Sequence, residues 1–168
     1  PKDCVREVAE VAPTAAEAPA ERPKLLSGKQ AEVLLAVGKQ RLKFTNLNKV
    51  FYPREGYVKR DLINYYDAVA ELLVPHLKDR PLSLKRYPNG VDREFFFEKN
   101  ATAHRPDWVQ TAPIWSEHNR RTINYILAND LPTVVWMANL AAIELHPSLS
   151  LAKQIESPTM MVFDLDPG

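Results

Sequence analysis

The chain has 168 residues, 45% hydrophobic and 26% charged, with a net charge of +1, which suffices for about one domain around a single core. Its longest mostly apolar stretch, 131–145, is broken by Pro132, Thr133, Asn139 and Glu144 and falls short of the roughly 20 apolar residues of a bilayer span. The first thirty residues hold no apolar signal-peptide core and the one cysteine, Cys4, excludes an internal disulfide or a cysteine-based zinc site, so a soluble, cytoplasmic protein is expected.

Residues 1–30, rich in Ala, Pro and Glu, read as a flexible interdomain linker, and 31–168 as the folded part. "AEVLLAV" and "RLKFT" flank a glycine-containing turn and predict a hairpin. In "TNLNKVFYP", Thr45 or Asn46 could cap a short helix that Pro53 ends. A helix over 58–74 is expected, because Leu62, Ile63, Tyr66, Val69, Ala70 and Leu73 recur on one face and Pro75 follows. "PLSLKRYPNG" reads as a strand entering a turn, with "EFFFEKN" and "RTINYILAN" as further strands. "LPTVVWMANLAAIELH" is apolar all round and predicts a buried helix ending near His146. "TMMVFDLD" reads as the last strand. Intermixed strands and helices without strict alternation give an α+β class, a mixed or antiparallel sheet with packed helices.

Charge is unevenly spread. Residues 39–60 carry seven cations against one acid, Glu55, a net charge of +6, and 78–105 carry +3. Basic segments bearing aromatic residues suit a polyanion, because lysine and arginine that neutralise phosphates release condensed counterions. A solvated charged face would have the same composition.

In "MVFDLDPG" a strand would project Asp164 and Asp166 from one side, with Cα atoms about 6 to 7 Å apart. Two hard carboxylates so placed suit a divalent cation such as Mg²⁺ or Mn²⁺ and the metal pair of phosphoryl-transfer sites. A strand-end turn capped by Asp166 is the plainer alternative. The D-x-D pattern alone also occurs in glycosyltransferases and in haloacid-dehalogenase phosphatases.

Taken together and in order, "TNLNKVFYP", "GYVKRDLINYY", "RPLSLKRYPNGVDREFFFEKN", "AAIELH" and "MVFDLDPG" resemble the polymerase domain of bacterial DNA ligase D, within the archaeo-eukaryotic primase superfamily. The resemblance implies a primase-type polymerase that uses Mn²⁺ or Mg²⁺ and nucleoside triphosphates to fill gaps and extend 3′ ends in non-homologous end joining. It further implies DNA with a 3′ overhang or gap and a 5′-phosphate as substrate. Ku, and nuclease and ligase domains of the same polypeptide, are the implied partners.

By the same resemblance Asp164 and Asp166 are metal ligands, and His146 lies near the active site, although a histidine ending a helix would be a simpler account of it. Lys49 and Lys59, with Asn46 nearby, match residues that hold the 5′-phosphate of the downstream DNA end. Phe96 and Phe97 match an aromatic pair stacking on the template, with core packing as the alternative, and Lys85, Arg86 and Lys99 fall where cations contact nucleotide phosphate or template. Family members continue beyond D-L-D-P-G into a Ser-x-His segment and a third aspartate. These 168 residues are therefore expected to form the N-terminal portion of the domain and, alone, to bind DNA ends without polymerising. A non-catalytic end-binding module and an unrelated metal-dependent phosphotransferase or phosphatase are the other classes the residues allow.

Overall fold

Val33–Val37 (β1) and Gln40–Phe44 (β2) pair antiparallel as the expected hairpin, and bury Val37, Leu42 and Phe44. The computed structural model describes residues 23–165. The body begins before residue 31: Leu26 is buried, its backbone N–H and C=O both bonded by the Asn64 side chain at 2.8 and 3.1 Å. The rest of the expected linker, residues 1–22, lies outside the described residues.

The short helix expected in "TNLNKVFYP" does not form. Asn46 takes a left-handed conformation (φ 57°) and its carbonyl accepts the Lys49 N–H at 3.0 Å, closing a turn. The β-prone Val50–Tyr52 (β3) then pairs with Tyr57–Val58 (β4). A β-branched and aromatic run gains more from a ladder than from a single helical turn.

Helix α1, Lys59–Leu77, turns the expected face inward, burying Leu62, Ile63, Tyr66 and Ala70. It runs past Pro75, and the Lys78 N–H still donates to the Val74 carbonyl at 2.9 Å. A proline in the last turn therefore does not stop it. At the other end the Val58 N–H donates to Asp61 Oδ2 at 2.8 Å. The first helical amides, of Lys59 and Arg60, donate to the carbonyls of Lys49 and Leu47 at 2.8 and 3.0 Å, so the 46–49 turn caps the helix.

Pro81–Arg86 (β5) is the centre of the main sheet. One edge pairs with Phe96–Glu98 (β6) and, further along, with Arg121–Leu127 (β8); the other pairs with Ala142–Pro147 (β9). Thr111–Ser116 (β7) lies outside β8, and every pairing is antiparallel. Sequence patterning missed β7 because Pro113 interrupts it, yet an edge strand tolerates a residue that cannot donate to a ladder.

The long apolar helix expected up to His146 divides in two. Helix α2 covers only Leu131–Asn139 and starts on Asp130, whose Oδ1 accepts from the Thr133 N–H and hydroxyl at 2.9 and 2.6 Å. Ala141 turns left-handed (φ 63°), and 142–147 become β9. Local apolarity could not separate the two states, and the ladder with β5 decided between them. Both helices share the core of the sheet: Leu82 and Leu84 belong to one buried cluster with Val134, Val135 and Met137, and the Tyr66 hydroxyl donates to the Ile143 carbonyl at 2.9 Å. The opposite face carries Ser83, Lys85, Glu144 and His146, as the β5–β9 register requires.

"TMMVFDLD" is not a strand through residue 165. Past Thr159, whose N–H bonds Leu149 at 2.9 Å, the described chain joins no ladder. Met161, Phe163 and Leu165 are 78%, 79% and 85% exposed. β propensity without a partner strand leaves backbone groups to water. Among the described residues no helix is long and apolar enough to cross a membrane.

Candidate nucleic-acid interface

Two backbone turns and the start of a helix position the basic residues. The 46–49 turn holds Lys49 outward, and its ammonium donates to the Pro88 carbonyl at 2.5 Å and to Asn89 Oδ1 at 2.6 Å in the turn after β5. That turn approaches β3 through Gly90, whose φ is +95° and whose absent Cβ would lie 3.1 Å from the Val50 and Phe51 carbonyl oxygens. Only glycine fits there without strain. Lys59, the first residue of α1, is 5% exposed and its ammonium donates to the Thr45 carbonyl at 2.8 Å. Asn46 is exposed in the same turn.

Burial first, then the nearby charges of Lys49 and Arg86, push the Lys59 ammonium down to about 8 from its usual 10.5. Among the described residues the partners of Lys49 and Lys59 are neutral oxygens, so no carboxylate there matches their charge, and for the buried Lys59 this is electrostatically costly. The native state releases the Lys59 proton before the unfolded chain does, so this group raises stability as pH climbs from about 8 to 10.5 and opposes folding below that window.

Arg86 and Lys85 are sequence neighbours on opposite faces. Arg86 belongs with the lysine pair: its guanidinium donates to Glu98 Oε2 at 2.7 Å and to the Leu140 carbonyl at 2.8 Å, with the Phe96 ring 5.1 Å away. Lys85 lies on the open face, 2.8 Å from Glu144 Oε1. Phe95, Phe96 and Phe97 are all exposed (50%, 45% and 56%), so none is a core residue. The register with β5 sets Phe96 on the Arg86 side and Phe97 on the Lys85 side of this short strand. An open groove of about 480 Å³ runs from Phe96, Phe97 and Lys99 to His118 and Arg121 near the β7–β8 turn.

His146 lies on a strand, not at a helix end, with Nε2 3.3 Å from Glu144 Oε2 and its ring 5.9 Å from that of Phe97. Glu144, Tyr87 and Arg121 escaped the sequence reading. Period-two alternation would have put Glu144 beside His146, had the segment been read as a strand.

Asp164 is exposed and, among the described residues, makes no ion pair, and its hard carboxylate oxygen fits Mg²⁺ or Mn²⁺. Asp166 lies outside the described residues. Among those described, no three His, Cys, Asp or Glu side chains gather as a metal site.

The α+β domain thus presents an open sheet face, an exposed aromatic strand and, among the described residues, a cation pair with neutral partners, features that suit a polyanion. Residues 58–168 match the family described as LigD, primase-polymerase domain, a span that includes both aspartates of the D-x-D motif. The chain is 38% identical over 131 residues to the multifunctional non-homologous end joining protein LigD of Mycolicibacterium smegmatis, covering 77% of this chain and 17% of that protein. It is 35% identical over 127 residues to the bifunctional non-homologous end joining protein LigD of Bacillus subtilis, covering 76% of this chain and 20% of that protein. In structure it is similar to the polymerase domain from Mycobacterium tuberculosis ligase D in complex with DNA, with TM-score 0.63, 37% identity, and coverage of 66% of this chain and 38% of that one. The chain belongs to the LigD primase-polymerase domain family, and spans about a fifth or less of the length of these two LigD relatives.

Proposed function

We propose that this chain is the DNA-end-binding portion of a template-directed nucleotidyltransferase that fills gaps during double-strand break repair by non-homologous end joining. The observation that carries this is the Lys49–Lys59 pair, two ammonium groups sharing a turn and a helix start with neutral partners only. A 5′-terminal phosphate carries more charge than an internal diester, so two converging ammonium groups select a phosphorylated end over continuous duplex. Asn46 borders the same anion site, and Arg86 stands near it with its own charge matched by Glu98. Phe96 and Phe97 supply exposed rings for template bases, which stack with any sequence, and Lys99 lines the groove beside them.

His146 faces the same open surface near the reacting groups, and Asp164 with Asp166 would hold Mg²⁺ or Mn²⁺, which when bound neutralises charge on a triphosphate. In this reading the folded part, which begins by Leu26 and not at residue 31, belongs to a primase-type polymerase domain. The partners are Ku, nucleoside triphosphates, and nuclease and ligase domains of a longer bacterial polypeptide working on cytoplasmic, nucleoid-associated DNA.

The test compares gapped duplexes that differ only in a 5′-phosphate or 5′-hydroxyl at the downstream end. The phosphorylated form is expected to bind roughly tenfold tighter or more; equal affinities would remove the proposal. A pH series gives a second expected result. Because Lys59 loses its proton near 8, the preference for phosphate declines as pH rises through that value, and Lys59→Arg, which stays charged, flattens the decline. A preference that holds unchanged well above that pH would show that the Lys59 ammonium takes no part.

A further inference from the structure

Phe97, Lys85 and Glu144 form a row across β6, β5 and β9, in direct register and on the open face. Glu144 is its hub. Oε1 accepts from the Lys85 ammonium at 2.8 Å and from the Tyr87 hydroxyl at 2.6 Å, and Oε2 lies 3.3 Å from His146 Nε2. The ammonium so held sits 4.3, 5.3 and 5.9 Å from the ring centroids of Phe95, Tyr87 and Phe97. Phe95 and Phe97 meet edge to face at 5.9 Å and 89°. The protein's own lysine thus fills an aromatic cage. Hydrogen bonds to Glu144 hold the Lys85 ammonium above its ordinary pKa and the Glu144 carboxyl below its own.

We propose that Glu144 is a positioning residue that, through Lys85, fixes Phe95 and Phe97 so that Phe97 presents one settled ring face to a template base. This rests on the template-stacking role given to Phe97 above. Lys85 differs from Lys49 and Lys59 in having its charge matched by a carboxylate, so it has little counterion to release to a phosphate. Its work is to hold the rings. A half-exposed ring at the end of a sheet otherwise loses rotamer freedom when it stacks, and ordering it beforehand removes that cost.

The experiment measures binding of a recessed duplex with a single-stranded template overhang across a salt series, together with aromatic ring resonances of the DNA-free protein. Glu144→Gln keeps the shape and removes the charge. It is expected to weaken overhang binding by about 3- to 10-fold, with no further loss in a Phe97→Ala background and an unchanged salt slope for Lys85→Met. It also moves the ring resonances of Phe95, Phe97 and His146. Additive losses with Phe97→Ala, a salt slope lowered by about one in Lys85→Met, or unmoved ring resonances would overturn the proposal. If Phe97→Ala itself leaves overhang binding intact, the stacking role fails instead, and the ring resonances still decide whether Glu144 positions the cage.

Discussion

Replacing Lys49 and Lys59 together by alanine is expected to lower affinity for a gapped duplex bearing a 5′-phosphate by on the order of 100-fold or more. Each hydrogen bond to a charged group contributes roughly 1.5–3 kcal/mol, and about 1.4 kcal/mol is a factor of ten in affinity. In the proposed reading the two ammonium groups act on one terminal phosphate. The logarithmic salt dependence should fall by about two, one for each cation removed, while binding to the 5′-hydroxyl gap changes far less. Folding is not the casualty, since Lys49 is exposed and removing Lys59 relieves a buried, repelled charge. Binding isotherms of both gapped duplexes on one protein preparation check this. A uniform loss on both would mean that the pair serves general backbone attraction and reads no end.

Phe51→Ala is expected to produce the largest loss of stability near the site, about 3–5 kcal/mol. Phe51 is 1% exposed in β3 and belongs to the main core. Its carbonyl accepts the Val91 N–H at 2.9 Å, beside the close approach of Gly90. A cavity there removes apolar burial and loosens the seam between β3 and the turn that receives the Lys49 ammonium. Against a total domain stability of roughly 5–15 kcal/mol, such a loss moves a denaturant midpoint strongly. Urea unfolding followed by fluorescence measures it. A shift no larger than that of a surface variant such as Leu72→Ala, at a side chain 77% exposed, would show that Phe51 does not anchor this seam.

Local pattern made much of this protein legible. The apolar stripe Leu62, Ile63, Tyr66, Ala70 has the period of a helix packed on one side, and it is buried as that period requires. The β1–β2 hairpin follows from two β-prone runs around a glycine, and the five ordered motifs carried the family, which the match over 58–168 shows. Where local signals were equal, sequence reading failed. Residues 142–147 continue the apolar run of the helix before them with Ala142, Ile143 and Leu145, and pairing with the edge of β5 made them a strand. That one change moved His146 and Glu144 onto a shared face.

The order of its elements by itself determined an α+β class, and the resemblance of its motifs determined the family and which lysines and phenylalanines to consider. Tertiary structure alone decided how those residues group: Lys49, Lys59 and Arg86 meet around a turn and a helix start, while Lys85, next to Arg86 in the chain, joins Glu144 and the rings on the opposite face. The physical reason is that side-chain identity and period are local properties of a chain. Which charges end up compensated depends on strand register and on turns such as those at Asn46 and Gly90, which are settled only when distant segments pack.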